Sequence, residues 1–419
     1  MSTDSSTEAG LLTGPPDLAS PILAIHLTRS VAPSSYGLGQ VALNLSREQT
    51  ELGIVSSIWT LDGSDAAGKA AAGAGLALES VRGFAQARPG FLGFSREMER
   101  AARGFHWQGN VVVHQHMIWQ LYSRIPRLLL KASAARVVIA PHGSLDDWAL
   151  RKSSAKKALA KWLYEGQNLH SADCLHATSE REVGNFRDFG LRNPIALINN
   201  GVSPALLQSQ GDAEAFRSRF GLGADQHIML FISRIARKKG LPMLLDAMNH
   251  LRHRLQDWVL VIAGVDEEGH ESEVALRVRE LGLEGLVKFV GPLFDQAKRD
   301  AFEAAEIFVL PSHSEGSPMI VLEAMAAGVP VLTTKASPWE ELVRHGCGWW
   351  CEISVAGLCE ALEDVVSLSG ARRRDMGARA KALVARDYTW RESARKTLEL
   401  YAWLYGEGAR PPFILMDSR

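Results

Sequence analysis

Cysteine is scarce in this chain, with four residues (Cys174, Cys347, Cys351 and Cys359) in 419 and no two zinc-type pairs, since only Cys347 and Cys351 are closely spaced. That excludes a disulfide framework and a zinc ribbon, and it points to a reducing, cytoplasmic setting. Net charge is nearly absent as well, at 46 basic against 47 acidic residues. No chain-wide field gathers nucleic acid or anionic lipid, so nucleic acid is not an expected partner and any pull on a polyanion must be local. Long apolar runs are missing; Trp258–Val265 is typical of the longest, far below the roughly 20 residues that span a bilayer. The first twenty residues hold Asp4, Glu8 and Asp17 but no Lys or Arg, so they do not read as a secretory signal. Residues 1–20 are expected to be a disordered tail.

What is present is ordinary globular material, 46% apolar and 22% charged, in a length that suits two or three domains. Short β-branched runs alternate with longer helical stretches. Strands are expected at Pro21–Thr28, Ile54–Trp59, Asn110–His116, Arg136–Ala140, Asp173–Thr178 and Ile195–Ile198, with a helix at Leu38–Leu52. The Ala/Gly-rich stretch Asp65–Leu78 reads as a loop or a weak helix. A second series has strands at His227–Ser233, Trp258–Ala263, Val287–Val290, Ile307–Leu310 and Val329–Thr333. Its helices fall at Leu241–Leu255, Ser272–Leu281, Gln296–Ala305 and Met319–Ala327. Such alternation builds parallel sheets from right-handed crossovers. The expected fold is α/β, two doubly wound domains at 21–200 and 201–385 facing across a cleft, with a boundary near residues 199–212. Closing helices near Ala371–Ala385 and Arg391–Tyr405 are placed to cap either half, and 386–419 is expected to return to the first.

The most informative stretch runs from Pro311 to Val331 and follows an apolar strand. Ser317 suits an N-cap and Pro318 a first helical position. Backbone N–H groups near Gly316–Met319 would then lie at a helix start, which favours phosphate. Glu315 and Glu323 flank that start and suit sugar hydroxyls at either end of a diphosphate. Taken alone, a Glu-x7-Glu is more often a capping turn with a solvated glutamate. Ser233–Gly240 packs Arg234, Arg237, Lys238 and Lys239 into a strand-to-helix loop, the residue types that hold phosphate oxygens. A solvated charge run is the commoner origin of such a stretch, but its place opposite the phosphate-binding helix argues for a site.

In the first half, His114 and His116 lie on one side of a strand. A structural role is their commoner reading, and with no obvious third ligand no metal is expected. Pro141–Trp148 carries His142, Asp146 and Asp147 and no Asp-x-Asp clamp. Ser35–Gly39 supplies Gly37 and Gly39 without the full dinucleotide fingerprint.

Together these residues resemble the family 4 retaining glycosyltransferases of the GT-B fold over roughly residues 21–405. The likeness rests on Glu315-x7-Glu323, on Arg234 and Lys239, and on the Asn199-Asn-Gly-Val junction. Pro141-His-Gly-Ser-Leu-Asp-Asp-Trp, Tyr164-Glu and Ala177-Thr-Ser-Glu are similar to bacterial members that build exopolysaccharide or lipopolysaccharide. The resemblance implies two Rossmann-like domains, the first for the acceptor and the second for a nucleotide diphosphate sugar. Glu323 would hold the ribose, Arg234 and Lys239 the diphosphate, and Glu315 the donor sugar. His116 matches the family's catalytic-region histidine, with His114, His142 and Asp146 on the acceptor side. Gly37, Gly39, Gly316, Ser317 and Pro318 would line the donor. Two departures touch those contacts: Gly-Ser-Pro follows Glu315 where many members have Gly-Phe-Gly, and Tyr36–Gly39 lacks adjacent glycines. No metal or cofactor is implied; the partners are the donor and a glycan or lipid-linked acceptor. A sugar-nucleotide epimerase or hydrolase, or a non-catalytic sugar-nucleotide binder, is the alternative on the same architecture.

Between Trp148 and Trp162 lie Arg151, Lys152, Lys156, Lys157 and Lys161 with no acidic residue. On one helix these form a basic face beside Leu159, Trp162 and Leu163, suited to an anionic membrane surface. Residues 151–162 are therefore an expected peripheral contact, and a solvated face is the alternative.

Overall fold

The computed structural model describes residues 21–32, 38–151, 153–208 and 210–417. Among these the chain forms two sheets. The first comprises β1 (Ile22–Leu27), β2 (Val55–Thr60), β3 (Val81–Gly83), β4 (Asn110–His116), β5 (Arg136–Ala140), β6 (Cys174–Ala177) and β7 (Ile195–Leu197). The second comprises β8 (His227–Ile232), β9 (Trp258–Ala263), β10 (Val287–Phe289), β11 (Ile307–Leu310), β12 (Val331–Thr334) and β13 (Gly348–Cys351). A last strand, β14 (Ile414–Leu415), returns to the first sheet beside β7.

The orders are β14-β7-β6-β5-β4-β1-β2-β3 and β10-β9-β8-β11-β12-β13. Pairing is parallel throughout, except that β14 runs antiparallel to β7. Parallel strands are covered by helices on both faces, so they read as continuous apolar runs: β1, β9 and β11 are buried along their whole length. Strand order reverses between β1 and β4 in one sheet and between β8 and β11 in the other. Ligands of doubly wound sheets gather outside the carboxyl ends of the strands at such points.

Of the two readings of Asp65–Leu78 the helix holds, as Ser64–Gly73, whose Ala67 and Ala71 pack against the β2–β3 side. Other local expectations are corrected. The helix expected to run to Leu255 ends at His250 and tightens into a 3₁₀ turn, Arg252–Arg254. Pro318, in extended geometry, is the N-cap of Met319–Ala326 and no side chain caps it, so Ser317 lies one residue outside. The basic stretch is no single helix. Helices Asp147–Arg151 and Ser154–Ala160 are separated by Ser153 in left-handed geometry, and a wide turn, Lys161–Glu165, follows.

The chain passes between domains twice, and the two passages lie side by side. Val202 N–H donates to Tyr388 O at 2.8 Å and Trp390 N–H to Val202 O at 3.1 Å. Gly201 approaches so closely that a Cβ there would overlap the Thr389–Trp390 peptide. The closing helix Trp390–Leu404 packs on the first domain, where Leu398, Leu400 and Tyr401 share a core with Ile22, Ala24, Val112 and Ile198.

Candidate active site

The second-domain wall is made by the loops after β8 and β11, which leave adjacent strands. His313 N–H donates to Lys238 O at 2.8 Å. Gly240, at φ +71°, lies so close that a Cβ there would overlap the Pro311 carbonyl oxygen. Lys239 and Glu315 are thereby brought to 2.5 Å, both nearly buried, and Ser312 Oγ donates to the same carboxylate at 2.5 Å. Burial pulls the Lys239 ammonium below the ordinary lysine range, against the Glu315 carboxylate, which favours the charged form. Arg234 forks onto Glu267 with two bonds of 2.9 Å. Arg237 pairs with Glu273, and Lys298 with Glu323 at 2.7 Å. Gly316, Ser317 and Pro318 lead into the helix Met319–Ala326, whose first N–H groups have no partner within the helix.

The first-domain wall is a stack of imidazoles. His26 on β1, His114 and His116 on β4, and His176 on β6 are all buried, and His142 stands after β5, half-buried. His26 Nδ1 lies 2.9 Å from His116 Nε2, and His116 Nδ1 lies 3.0 Å from His142 Nε2. His114 Nε2 lies 3.1 Å from His176 Nδ1, and its Nδ1 lies 2.7 Å from Tyr401 OH. Burial holds His176 down at about 4 against its hydrogen bond to the Ile198 carbonyl, and burial with help from His176 holds His26 at about 4 and His142 at about 3. His114 and His116 are lowered in the same way. The stack is therefore neutral at physiological pH.

Across the cleft the walls touch through two glycines: a Cβ built on Gly143 would lie 3.5 Å from the Gly316 Cα. Ser314 Oγ donates to Asp146 at 3.3 Å, and Arg181, 3.7 Å from Asp146, donates to Ala336 O at 2.6 Å. Glu182, buried and raised in pKa by that burial, accepts from the Gly143 and Thr178 N–H groups and holds the His142–Gly143 turn.

The structure thus brings Arg234, Lys239, Glu315 and Gly316 together on one wall, with Glu323 one helical turn further on. It places His116 behind His142, with both ring nitrogens occupied, so the least buried imidazole of the stack is the half-buried His142. His114 is deeper still. Asp146 serves the contact between domains. Gly39 is buried in the first turn of Leu38–Glu51, and Gly37 lies outside the described residues. Sequence reasoning missed His26, His176, Gln49 and Tyr401; only the alternation of His114 and His116 signalled the cluster.

His26, His114 and His116 are the one group among the described residues whose ring nitrogens converge like metal ligands, within 4.8 Å of one another. The 2.9 Å between His26 and His116 is a hydrogen-bond distance. Two ligands about 2.0 Å from a tetrahedral ion stand about 3.3 Å apart. The other nitrogens of these rings are engaged by Gln49, His142, Tyr401 and His176.

Residues 36–201 match the family described as glycosyl transferase 4-like domain, and residues 212–383 match glycosyl transferases group 1. The chain is 29% identical over 277 residues to a D-inositol 3-phosphate glycosyltransferase of Kineococcus radiotolerans, covering 60% of this chain and 62% of that relative. The match therefore spans less than two thirds of the relative's length. Sucrose-phosphate synthase from Thermosynechococcus elongatus is similar in fold, with TM-score 0.73 over 92% of this chain and 99% of that one at 19% identity. Anabaena HepE, solved in complex with UDP and glucose, gives TM-score 0.71 over 91% and 99% at 18% identity.

Proposed function

From its membership of the glycosyl transferases, carried by a glycosyl transferase 4-like first domain and a group 1 second domain, we propose that it moves a sugar from a nucleotide diphosphate donor to an acceptor hydroxyl, with retention of configuration. The observation that carries this is the pairing of the Arg234–Lys239 loop with the Glu315–Glu323 loop at adjacent strand ends, facing a neutral wall. As the glycosidic bond breaks, charge builds on the leaving diphosphate. Arg234, Lys239 and the open start of Met319–Ala326 offset it, the kind of preorganised electrostatic contribution that is often the largest in catalysis. Glu323 takes the ribose hydroxyls and Glu315 faces the donor sugar. The acceptor proton goes to a donor phosphate oxygen, so no protein base is required.

The acceptor is a glycan or a lipid-linked saccharide of the cell surface. Support comes from the segment after β5, where Trp162 is 81% exposed and Leu159 and Leu163 are 56% and 59% exposed, beside Lys156. Apolar side chains in water next to basic ones suit the surface of an anionic membrane. No described helix is long and apolar enough to cross one. Lys157 instead donates to Ala149 O and Lys161 covers the Phe189 ring at 4.0 Å, so those two are less available to lipid. Lys152 lies outside the described residues.

The test is a panel of UDP-, GDP- and TDP-sugars with cell-derived lipid-linked acceptors. Release of nucleoside diphosphate is expected only with an acceptor, and is expected to persist when chelator is added. Release with water alone would favour a hydrolase or epimerase, and binding without turnover a non-catalytic role.

A further inference from the structure

The polar side chains behind His142 admit one arrangement of protons, and two backbone carbonyls set it. The Ile198 carbonyl can only accept, so His176 Nε2, 2.8 Å away, carries a proton and His176 Nδ1 is left as an acceptor. His114 Nε2 therefore donates to it, and His114 Nδ1 accepts from the Tyr401 hydroxyl. The Tyr401 oxygen, its proton committed, faces Gln49 Nε2 at 3.3 Å. Thr397 repeats the constraint, because its hydroxyl donates to Ala394 O at 2.8 Å and so accepts from the same amide nitrogen at 3.0 Å. Two acceptors at one end of the Gln49 amide put the NH₂ there and turn Oε1 toward His26 Nε2, at 2.8 Å. From that oxygen the order runs outward. His26 Nε2 donates to Gln49, His116 Nε2 to His26, and His142 Nε2 to His116. The last nitrogen, His142 Nδ1, has no partner among the described residues, and its residue is half-buried on the turn that touches Gly316 beside Glu315.

We infer that the histidines form a directed chain of neutral imidazoles, set by Gln49 and ending in a His142 Nδ1 lone pair that accepts a hydrogen bond from a sugar hydroxyl in the cleft. For the hydroxyl, though not for the chain, this rests on the transfer reading above. Gln49 also decides what the chain cannot do. A proton taken up by His142 would have to leave through a primary amide, which does not accept it, so the chain orients a ring and conducts nothing. The fold holds that ring in place at φ +49°, a left-handed geometry uncommon for a histidine. The titratable groups facing the chain are the histidines themselves and Tyr401, with Glu182 beyond the Gly143 N–H. Burial disfavours the charged form of each histidine, so the acceptor end stays an acceptor at neutral pH.

The chain is testable without any substrate. In protein labelled with ¹⁵N at histidine, His26, His114, His116, His142 and His176 are expected as Nε2–H tautomers from about pH 8 down to about pH 5.5. Couplings across hydrogen bonds should link His26 with His116, His116 with His142, and His114 with His176. A His142 that carries its proton on Nδ1, or is cationic at neutral pH, overturns the assignment. Gln49→Glu places an anion beside His26 and a second acceptor before Tyr401. An acid limb in kcat/KM, absent from the wild type, should appear, and an unchanged profile removes Gln49 from the role. His142→Gln keeps a donor toward His116 and loses the cleft acceptor, whereas His142→Asn keeps an acceptor near the Nδ1 position. With the donor that the nucleotide-sugar panel identifies, His142→Gln should lose about tenfold or more in kcat/KM and His142→Asn should recover much of it. A loss seen also in donor hydrolysis without acceptor assigns the hydroxyl to the donor, and a loss confined to the acceptor KM assigns it to the acceptor. Equal activity in all three proteins overturns the cleft role. A panel that yields no donor overturns the hydroxyl, while the spectrum still judges the chain.

Discussion

On the second-domain wall Arg234, Arg237, Lys239 and Lys298 are each paired with a carboxylate, whereas on the first-domain wall five imidazoles are paired mainly with one another and with neutral groups. Under the proposed transfer, the difference follows from what each wall meets. A diphosphate brings charge, and cations already compensated by Glu267, Glu273, Glu315 and Glu323 can exchange one anion for another without lying buried and unpaired in between. A sugar hydroxyl brings none, and a neutral acceptor held in one tautomer greets it without a desolvated charge. Both walls are preorganised, one by ion pairs and the other by hydrogen-bond direction.

The sharpest way to break this contrast is acid, and it carries the largest expected effect. His26 and His176 titrate near 4 in the fold against 6.5 in the unfolded chain. Between those values the unfolded chain binds protons that the fold does not. Stability is thus complete above about pH 6.5 and falls below it by about 1.4 kcal/mol per pH unit for each such histidine. Calorimetry at about pH 7 and about pH 5 should show a first-domain transition that drops well before that of the second domain. Equal shifts in both transitions would erase the distinction.

Next comes Lys239→Ala, expected to cut turnover about 10²-fold or more, on the scale of losing one preorganised electrostatic partner. Near-normal turnover in a variant that melts like the wild type contradicts the role given to that wall. Glu323→Gln should act more mildly, raising the donor KM about tenfold through a lost charged hydrogen bond while kcat changes little. A fall in kcat alone would move Glu323 from ribose to chemistry. The smallest effect belongs to the outer surface. Replacing Lys156, Leu159, Trp162 and Leu163 with Gln should reduce sedimentation with anionic vesicles, and high salt should weaken what remains, since charge is screened within about 10 Å at 0.1 M. Unaltered sedimentation would remove this segment as a membrane contact.

Much of the GT-B architecture was legible because parallel strands buried on both faces leave near-continuous apolar runs; β4, β5, β9 and β11 fall at the expected residues. The short edge strands β3 and β14 were not, since two or three residues carry no periodicity. Pro318 was placed one position too far into its helix because its fixed φ suits both an N-cap and a first helical residue. The charged wall could be read from two loops, each local in sequence. The neutral wall could not: His26, Gln49, His142, His176 and Tyr401 meet only once strand order and the returning helix are known. That ordering is also why the resemblance singled out His116, which the fold places one hydrogen bond behind His142.

The returning helix bears on how the protein is made. Because Trp390–Leu404 supplies Tyr401 to the first domain, the second domain is an insertion within the first in covalent terms. Synthesis from the amino end therefore releases everything from Val202 to Thr389 before the tyrosine that orients His114 exists. The domain begun first is finished last, and a nascent chain stalled after Thr389 would hold a complete second domain beside a first domain whose His114 still lacks Tyr401.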